Sequence, residues 1–172
     1  MKIEICRIDK STRALVVDLI HQNWGSKIII TRGKKYYAEQ LDGFVALVNG
    51  EIKGIITYNI EKEQCEIVSL DSFYERVGIG SALIESVVQI AKYKNCSRIW
   101  LITTNDNGHA MRFYQKRGFE LSNIHLFAIE HSRKLKPEIP LKGFDDIPIL
   151  HEIEFEKNIN EDGILIHPEP TF

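Results

Sequence analysis

The chain has 172 residues, 44% hydrophobic and 27% charged, with a formal net charge of -2. That length suits one domain with a single sizeable core, the composition excludes a disordered chain, and the near-balanced charge gives no electrostatic basis for a nucleic-acid binder. Three scattered cysteines, Cys6, Cys65 and Cys96, form no C-x-x-C pair, which argues against a disulfide framework or a zinc site and for a reducing, cytoplasmic setting.

The opening "MKIEICRIDK" contains no signal-peptide core, and its residues 3–8 alternate with period two, as a first strand does. No apolar run along the chain reaches membrane-spanning length, so no membrane partner is expected. Ser11 or Thr12 caps a helix expected over 12–22, with Leu15, Val16, Leu19 and Ile20 on one face. The polar and aromatic stretch "NWGSKIIITRGKKYYAEQ" reads as loop, short strand or helix. In "FVALVNGEIKGIITYNI" two apolar runs flank Asn49-Gly50, a hairpin signal because both residues tolerate positive φ. "QCEIVSL", 64–70, reads as the next antiparallel strand.

The pattern then changes. "IGSALIESVVQIAKYK" places Ile79, Leu83, Ile84, Val87, Val88 and Ala91 on a 3.6-residue period, and Lys92 and Lys94 suit its C-terminal end. "RIWLIT", 98–103, is a continuous apolar run, as in a strand covered on both faces. A helix from about Gly108 to Arg117 follows, stopped by Gly118. "FELSNIHLFAIEH" and "IPILHEIEFEK" have the composition of two last strands, joined by a Pro- and Gly-containing connection over 132–148. The expected organisation is one domain over 1–156 and a loosely ordered tail over 157–172. Strand 64–70, the helix after it and strand 98–103 form a β-α-β unit, so those strands should be parallel neighbours with a ligand where they part, at their carboxyl ends.

The stretch "ERVGIGSALIES", 75–86, puts Gly78 and Gly80 at the first turn of a strong helix, although glycine costs about 1 kcal/mol against alanine inside one. A helix start offers unpaired N–H groups and the positive end of the dipole, and glycines there let a phosphate come close. The stretch is no P-loop, lacking G-K-[S/T], and no dinucleotide fingerprint, since Leu83 stands at the third glycine. A tight strand-to-helix turn would explain the glycines equally well.

A second motif follows the next strand: "NGHAMRFYQKRGF", 107–119, with spacing N-x-x-A-x-x-F-Y-x-x-x-G-F. Together the two motifs resemble the GCN5-related N-acetyltransferase (GNAT) superfamily, over roughly residues 43–131. The resemblance implies an α/β fold with a mixed, mostly antiparallel central sheet, helices on both faces, and a V-shaped splay between the fourth and fifth strands. It also implies acetyl-coenzyme A as co-substrate, with no metal. Its pyrophosphate signature, [Q/R]-x-x-G-x-[G/A], is matched at Gly78 and Gly80 but has Glu75 in first place. Arg76, one residue later, would reach a phosphate oxygen instead. The cofactor would then touch Val68, Ser69 and Leu70 along the strand, Arg76, Val77, Gly78, Ile79, Gly80, Ser81 and Ala82 at the helix start, and Asn107 and Tyr114 in the second motif.

By the same resemblance, a backbone N–H near Leu70 would stabilise the oxyanion and Tyr114 would protonate the leaving thiolate. Much of the rate would come from holding amine and thioester together. Glu66 is the carboxylate placed to take the amine proton, with Asp71 a further candidate and a plain strand carboxylate the alternative. Lys116 and Arg117 lie near enough in sequence to approach a phosphate, or are solvated charge. Trp24, Tyr36 and Tyr37 either line an acceptor pocket or cover the core, and Asp145 and Asp146 either hold a cationic amine or form a polar turn. His109 falls at a variable position of the motif, and the six histidines show no metal spacing. The function implied is acetyl transfer to a primary amine, of a small molecule or a protein. An acyl-coenzyme A binding or sensing module without catalysis is the alternative, and a homodimer stays open.

Overall fold

A computed structural model describes residues 2–74 and 77–159. In chain order the strands are β1 (Glu4–Arg7), β2 (Ile28–Thr31), β3 (Lys34–Tyr37), β4 (Asp42–Val48), β5 (Glu51–Glu61), β6 (Gln64–Ser72), β7 (Arg98–Thr104), β8 (Glu120–His125) and β9 (Glu152–Asn158). The α-helices are α1 (Arg13–Trp24), α2 (Ile79–Tyr93), α3 (Gly108–Gln115) and α4 (Ala128–Leu135). Seven strands form one sheet in the order β1-β4-β5-β6-β7-β9-β8, while β2 and β3 pair only with each other. Among the described residues only β6 and β7 pair in parallel in the large sheet, as the helical crossover through α2 requires.

Side-chain alternation along these strands builds two cores, one on each face. On one face α2 and α3 pack Ile79, Leu83, Val87 and Tyr114 against Ile56, Cys65, Ile67, Ile99 and Phe155. On the other, Val16, Val17 and Ile20 of α1 and Ile29 and Tyr36 of the β2–β3 hairpin pack against Val45, Ile55 and Val68. Asn49 and Gly50 both take positive φ between β4 and β5, the geometry of a two-residue hairpin turn.

The structure sharpens three sequence expectations. The aromatic stretch after α1 is a hairpin of its own, with Thr31 opposite Lys34 across the turn. The run 119–131 is not one strand: β8 ends at His125, and α4 begins three residues later from Phe127, held at φ 56. The last strand, expected within the run 147–157, begins only at Glu152. It runs on to Asn158, and the Ile159 N–H donates to the Ser97 carbonyl at 2.9 Å, so the first residues of the expected tail belong to the sheet.

Candidate active site

β6 and β7 pair only from Gln64–Arg98 to Ile67–Leu101. Beyond that point β6 keeps β5 on one edge, β7 keeps β9, and the two carboxyl ends part. A bulge starts the separation: Thr57 faces Ser69 and Tyr58 faces Ile67, so Val68 is the extra residue on β6. Val68 and Ser69 are buried, and Ser69 Oγ lies 2.6 Å from Thr57 Oγ1. The expected V-shaped splay is therefore present, and Val68 to Leu70 run along its wall with one backbone edge facing the gap.

Gly78 opens α2 at φ 87, a left-handed conformation that favours glycine, and a Cβ there would meet nothing within 4 Å. The backbone is thus bare toward open space at the positive end of a 15-residue helix. Gly80 has a different reason. A Cβ on it would stand 2.8 Å from the Phe113 ring, so this glycine admits α3 against α2. The Ala82 N–H donates to the Gly78 carbonyl at 3.0 Å, the first bond of the helix, whereas the amides of Ile79, Gly80 and Ser81 start it without an intrahelical acceptor. Val77 is half-buried against the core. Glu75 and Arg76 lie outside the described residues, and so does the expected Arg76 contact.

The second motif lies against this helix start. Asn107 caps α3, its Oδ1 accepting from the Ala110 N–H at 3.0 Å, which leaves its amide nitrogen directed elsewhere. Tyr114 packs its ring edge-on against Phe113 and Phe119. Burial, with the Asp71 charge nearby, pushes its phenol far up, so it stays protonated at neutral pH. Arg117 lies flat on Phe113, 3.4 Å from the ring centroid, and its Nε and Nη2 donate to Ser81 Oγ at 3.0 and 2.8 Å. A guanidinium is thereby fixed beside the first turn of α2. Lys116 is exposed, as is His109.

On the opposite face of the sheet, Glu66 is buried, 3% exposed, with both oxygens engaged by the hairpin. Thr31 Oγ1 donates to Oε1, and Tyr36 Oη donates to Oε2 at 2.5 Å. Burial pushes the Glu66 carboxyl above its ordinary value, against the pull of these two hydroxyls and of Lys34. Glu66 nevertheless borders a cleft of about 290 Å³, together with Thr31, Tyr36, Asn59 and Trp100. Asp71 is half-buried and accepts from the Trp24 indole N–H at 3.0 Å. Tyr37 is 43% exposed and borders no part of this cleft. Asp145 and Asp146 stand in an exposed turn away from it, Asp146 paired with Lys142 at 3.4 Å. Sequence reasoning offered Tyr36 as pocket wall or core cover; its ring does the second and its hydroxyl the first. Among the described residues no group of three His, Cys, Asp and Glu is placed to hold a metal ion, and no helix is long and apolar enough to cross a membrane.

A family model described as Acetyltransferase (GNAT) family matches residues 17–119. The chain belongs to that family. The uncharacterised protein YxbD of Bacillus subtilis strain 168 is 42% identical over 158 residues, spanning 91% of this chain and 98% of that protein. The spermine/spermidine N(1)-acetyltransferase of the same strain is 27% identical over 139 residues, spanning 71% of this chain and 90% of that enzyme. A GNAT family acetyltransferase from Elizabethkingia anophelis, solved with acetyl-CoA bound, superposes with a TM-score of 0.67 at 21% identity, covering 91% of this chain and 98% of that one. The mixed, mostly antiparallel sheet with its parted parallel pair is the GNAT fold.

Proposed function

We propose that the protein transfers an acetyl group from acetyl-coenzyme A to a primary amine within a ternary complex. The observation that carries this reading is the bare backbone of Gly78 at the start of α2, opening beside the gap between β6 and β7. The site fits the co-substrate in two respects. A pyrophosphate suits three free amides at a helix N-terminus, and an extended amide-containing arm suits the unpaired edge of β6 at Val68, Ser69 and Leu70. Bound there, acetyl-coenzyme A supplies an activated acetyl thioester.

The chain's own residues then have three tasks. Backbone N–H groups at the β6 bulge orient and polarise the carbonyl. Glu66, at the cleft on the opposite side of the sheet, takes a proton from the acceptor ammonium. The amine nitrogen bonds to the acetyl carbon and sheds its second proton, the C–S bond breaks, and the thiolate takes a proton from Tyr114, which the proton shed by nitrogen restores by way of solvent. Because burial holds the Tyr114 phenol well above an ordinary thiol, its transfer to the thiolate is uphill and its contribution modest. Tyr114→Phe is expected to lower kcat by about 100-fold, the low end for acid catalysis, with the KM for acetyl-coenzyme A unchanged. Pre-steady-state kinetics checks whether thiol release has become the slow step.

Arg117 supports the reading from the other end. Its guanidinium brings a positive charge to the helix start, where Glu75, in the first place of the pyrophosphate signature, brings none. Arg117→Ala is expected to weaken acetyl-coenzyme A binding about tenfold, as the loss of one charge-assisted hydrogen bond would, and titration calorimetry reads it directly.

The acceptor is a primary amine whose size the cleft limits. Arg32, Lys34 and Lys62 line it beside Glu61 and Glu66, a mixed charge that does not single out a polycation. The test is release of free thiol from acetyl-coenzyme A in the presence of a panel of amines, with spermidine, free amino acids and a peptide N-terminus among them. Steady release with any of them supports the reading. Tight binding of acetyl-coenzyme A without release under any condition would leave a binding module instead.

A further inference from the structure

We infer that Tyr36, assisted by Thr31, is a positioning residue for the reaction: the hydroxyls of the β2–β3 hairpin hold the Glu66 carboxylate in place and set the pH range in which it takes the amine proton. The inference rests on the reading of Glu66 as the base.

The hairpin has no backbone pairing with the large sheet, so side chains fix its place. Ile29 faces Tyr36 and Thr31 faces Lys34, which puts all four on one side of the hairpin. Ile29 and the Tyr36 ring enter the core beside α1, while the hydroxyls of Thr31 and Tyr36 reach past it to the two oxygens of Glu66. Further contacts fasten the turn. Arg32 donates from its backbone N–H and from its guanidinium to Glu152, each at 3.3 Å; Ser132 of α4 donates to the same carboxylate; and Lys34 pairs with Glu61 at 2.7 Å. Packing alone would be met by phenylalanine at position 36. The phenol is directed at a buried carboxylate bordering the cleft.

The charged and titratable groups around Glu66 divide by sign. Lys34 and the hydroxyls of Tyr36 and Thr31 favour its ionised form, whereas burial and the Glu152 charge on β9 oppose it. Glu61 on β5 acts on the same cluster through Tyr36, while the Glu66 charge helps to hold the neighbouring Cys65 thiol up. The Tyr36 phenol is itself pushed far up by burial, so it remains a donor through the neutral range. Removing it takes a hydrogen bond that is stronger to the charged form of Glu66 than to the neutral one. The carboxyl then holds its proton to higher pH, and the acid limb of kcat/KM moves to higher pH with it.

The test compares wild type, Tyr36→Phe, Thr31→Val and Glu66→Gln in two measurements. One is an NMR titration of isotope-labelled glutamate carboxyls, the Glu66 signal assigned by its loss in Glu66→Gln. The other is the pH profile of kcat/KM with the fastest amine of the panel. In Tyr36→Phe the titration midpoint and the acid limb should move together to higher pH, and the rate at a fixed pH on that limb should fall about tenfold, with unchanged affinity for acetyl-coenzyme A. Thr31→Val should shift both in the same direction. An unmoved midpoint overturns the inference, and so does a midpoint that moves while the limb stays. If Glu66→Gln keeps the wild-type rate and limb, the base assignment falls and takes this inference with it. If Glu66→Gln loses the rate while Tyr36→Phe changes nothing, only the inference about Tyr36 falls.

Discussion

Glu66→Gln is expected to lower kcat/KM for the acceptor amine about 100-fold near neutral pH, while the protein melts no lower than wild type. The two halves have separate causes. The rate falls because an ammonium must lose a proton before its nitrogen can attack, and a glutamine amide accepts none. The loss should shrink as pH rises toward the amine's own pKa, where solvent removes the proton unaided. The fold persists because the amide oxygen still accepts from Tyr36 and the amide N–H can donate to Thr31 Oγ1. Linkage adds a sign. Burial raises the Glu66 carboxyl in the folded state, so the stability tied to its bound proton is complete below the unfolded carboxylate range and is lost as pH rises through the folded value. Wherever Glu66 is ionised, wild type carries a buried charge that the Glu66→Gln variant does not, and the melting-temperature difference should grow in the variant's favour with rising pH. A variant that melts lower at every pH would mean that the carboxylate is a structural tie. One that keeps its rate would mean that the base is elsewhere.

How much of this was legible in the sequence differs from residue to residue. The Asn49-Gly50 turn, the α2 stripe and the order of the two motifs are local patterns, and the β6-α2-β7 unit with its parted strands followed from them. Helix α4 was not legible. It begins on a left-handed Phe127 with no Ser, Thr, Asp or Asn cap, and it buries only Ile129 and Ser132, too narrow a stripe to show a 3.6-residue period. The hairpin was half hidden: a short strand was one of three readings of 23–40, but the carboxylate its hydroxyls meet, Glu66, lies 30 residues after Tyr36 and 35 after Thr31. Glu66 was offered as a candidate base by its address on the strand, whereas its burial and its two hydroxyl partners are tertiary facts. Gly78 and Gly80 looked alike on the page and proved to be different: one is set by its φ, the other by a ring arriving from a later helix.

That difference makes the second large effect separable. Gly80→Ala is expected to cost about 1–3 kcal/mol of stability and to lose much of the affinity for acetyl-coenzyme A with it. The added methyl would stand 2.8 Å from the Phe113 ring, and the ring has little freedom to retreat. Arg117 covers one face at 3.4 Å, and Tyr114 meets it edge-on with centroids 5.2 Å apart. The strain must therefore move α3, and with it the Tyr114 hydroxyl and the Asn107 cap. Differential scanning calorimetry should show the transition about 2–4 °C lower for each kcal/mol lost. Phe113→Leu in the Gly80→Ala background should restore part of the loss, because the two residues are in contact and their effects cannot add. Gly78→Ala has no neighbour to strike, and its cost is the positive φ alone, about 1–2 kcal/mol. Its methyl nevertheless occupies the space over the helix start, so affinity for acetyl-coenzyme A should fall further than stability does. Equal melting of Gly80→Ala and wild type would remove the packing role of Gly80. Wild-type affinity in Gly78→Ala would move the pyrophosphate away from the start of α2, and the acetyl transfer proposed for this cleft would lose its cradle.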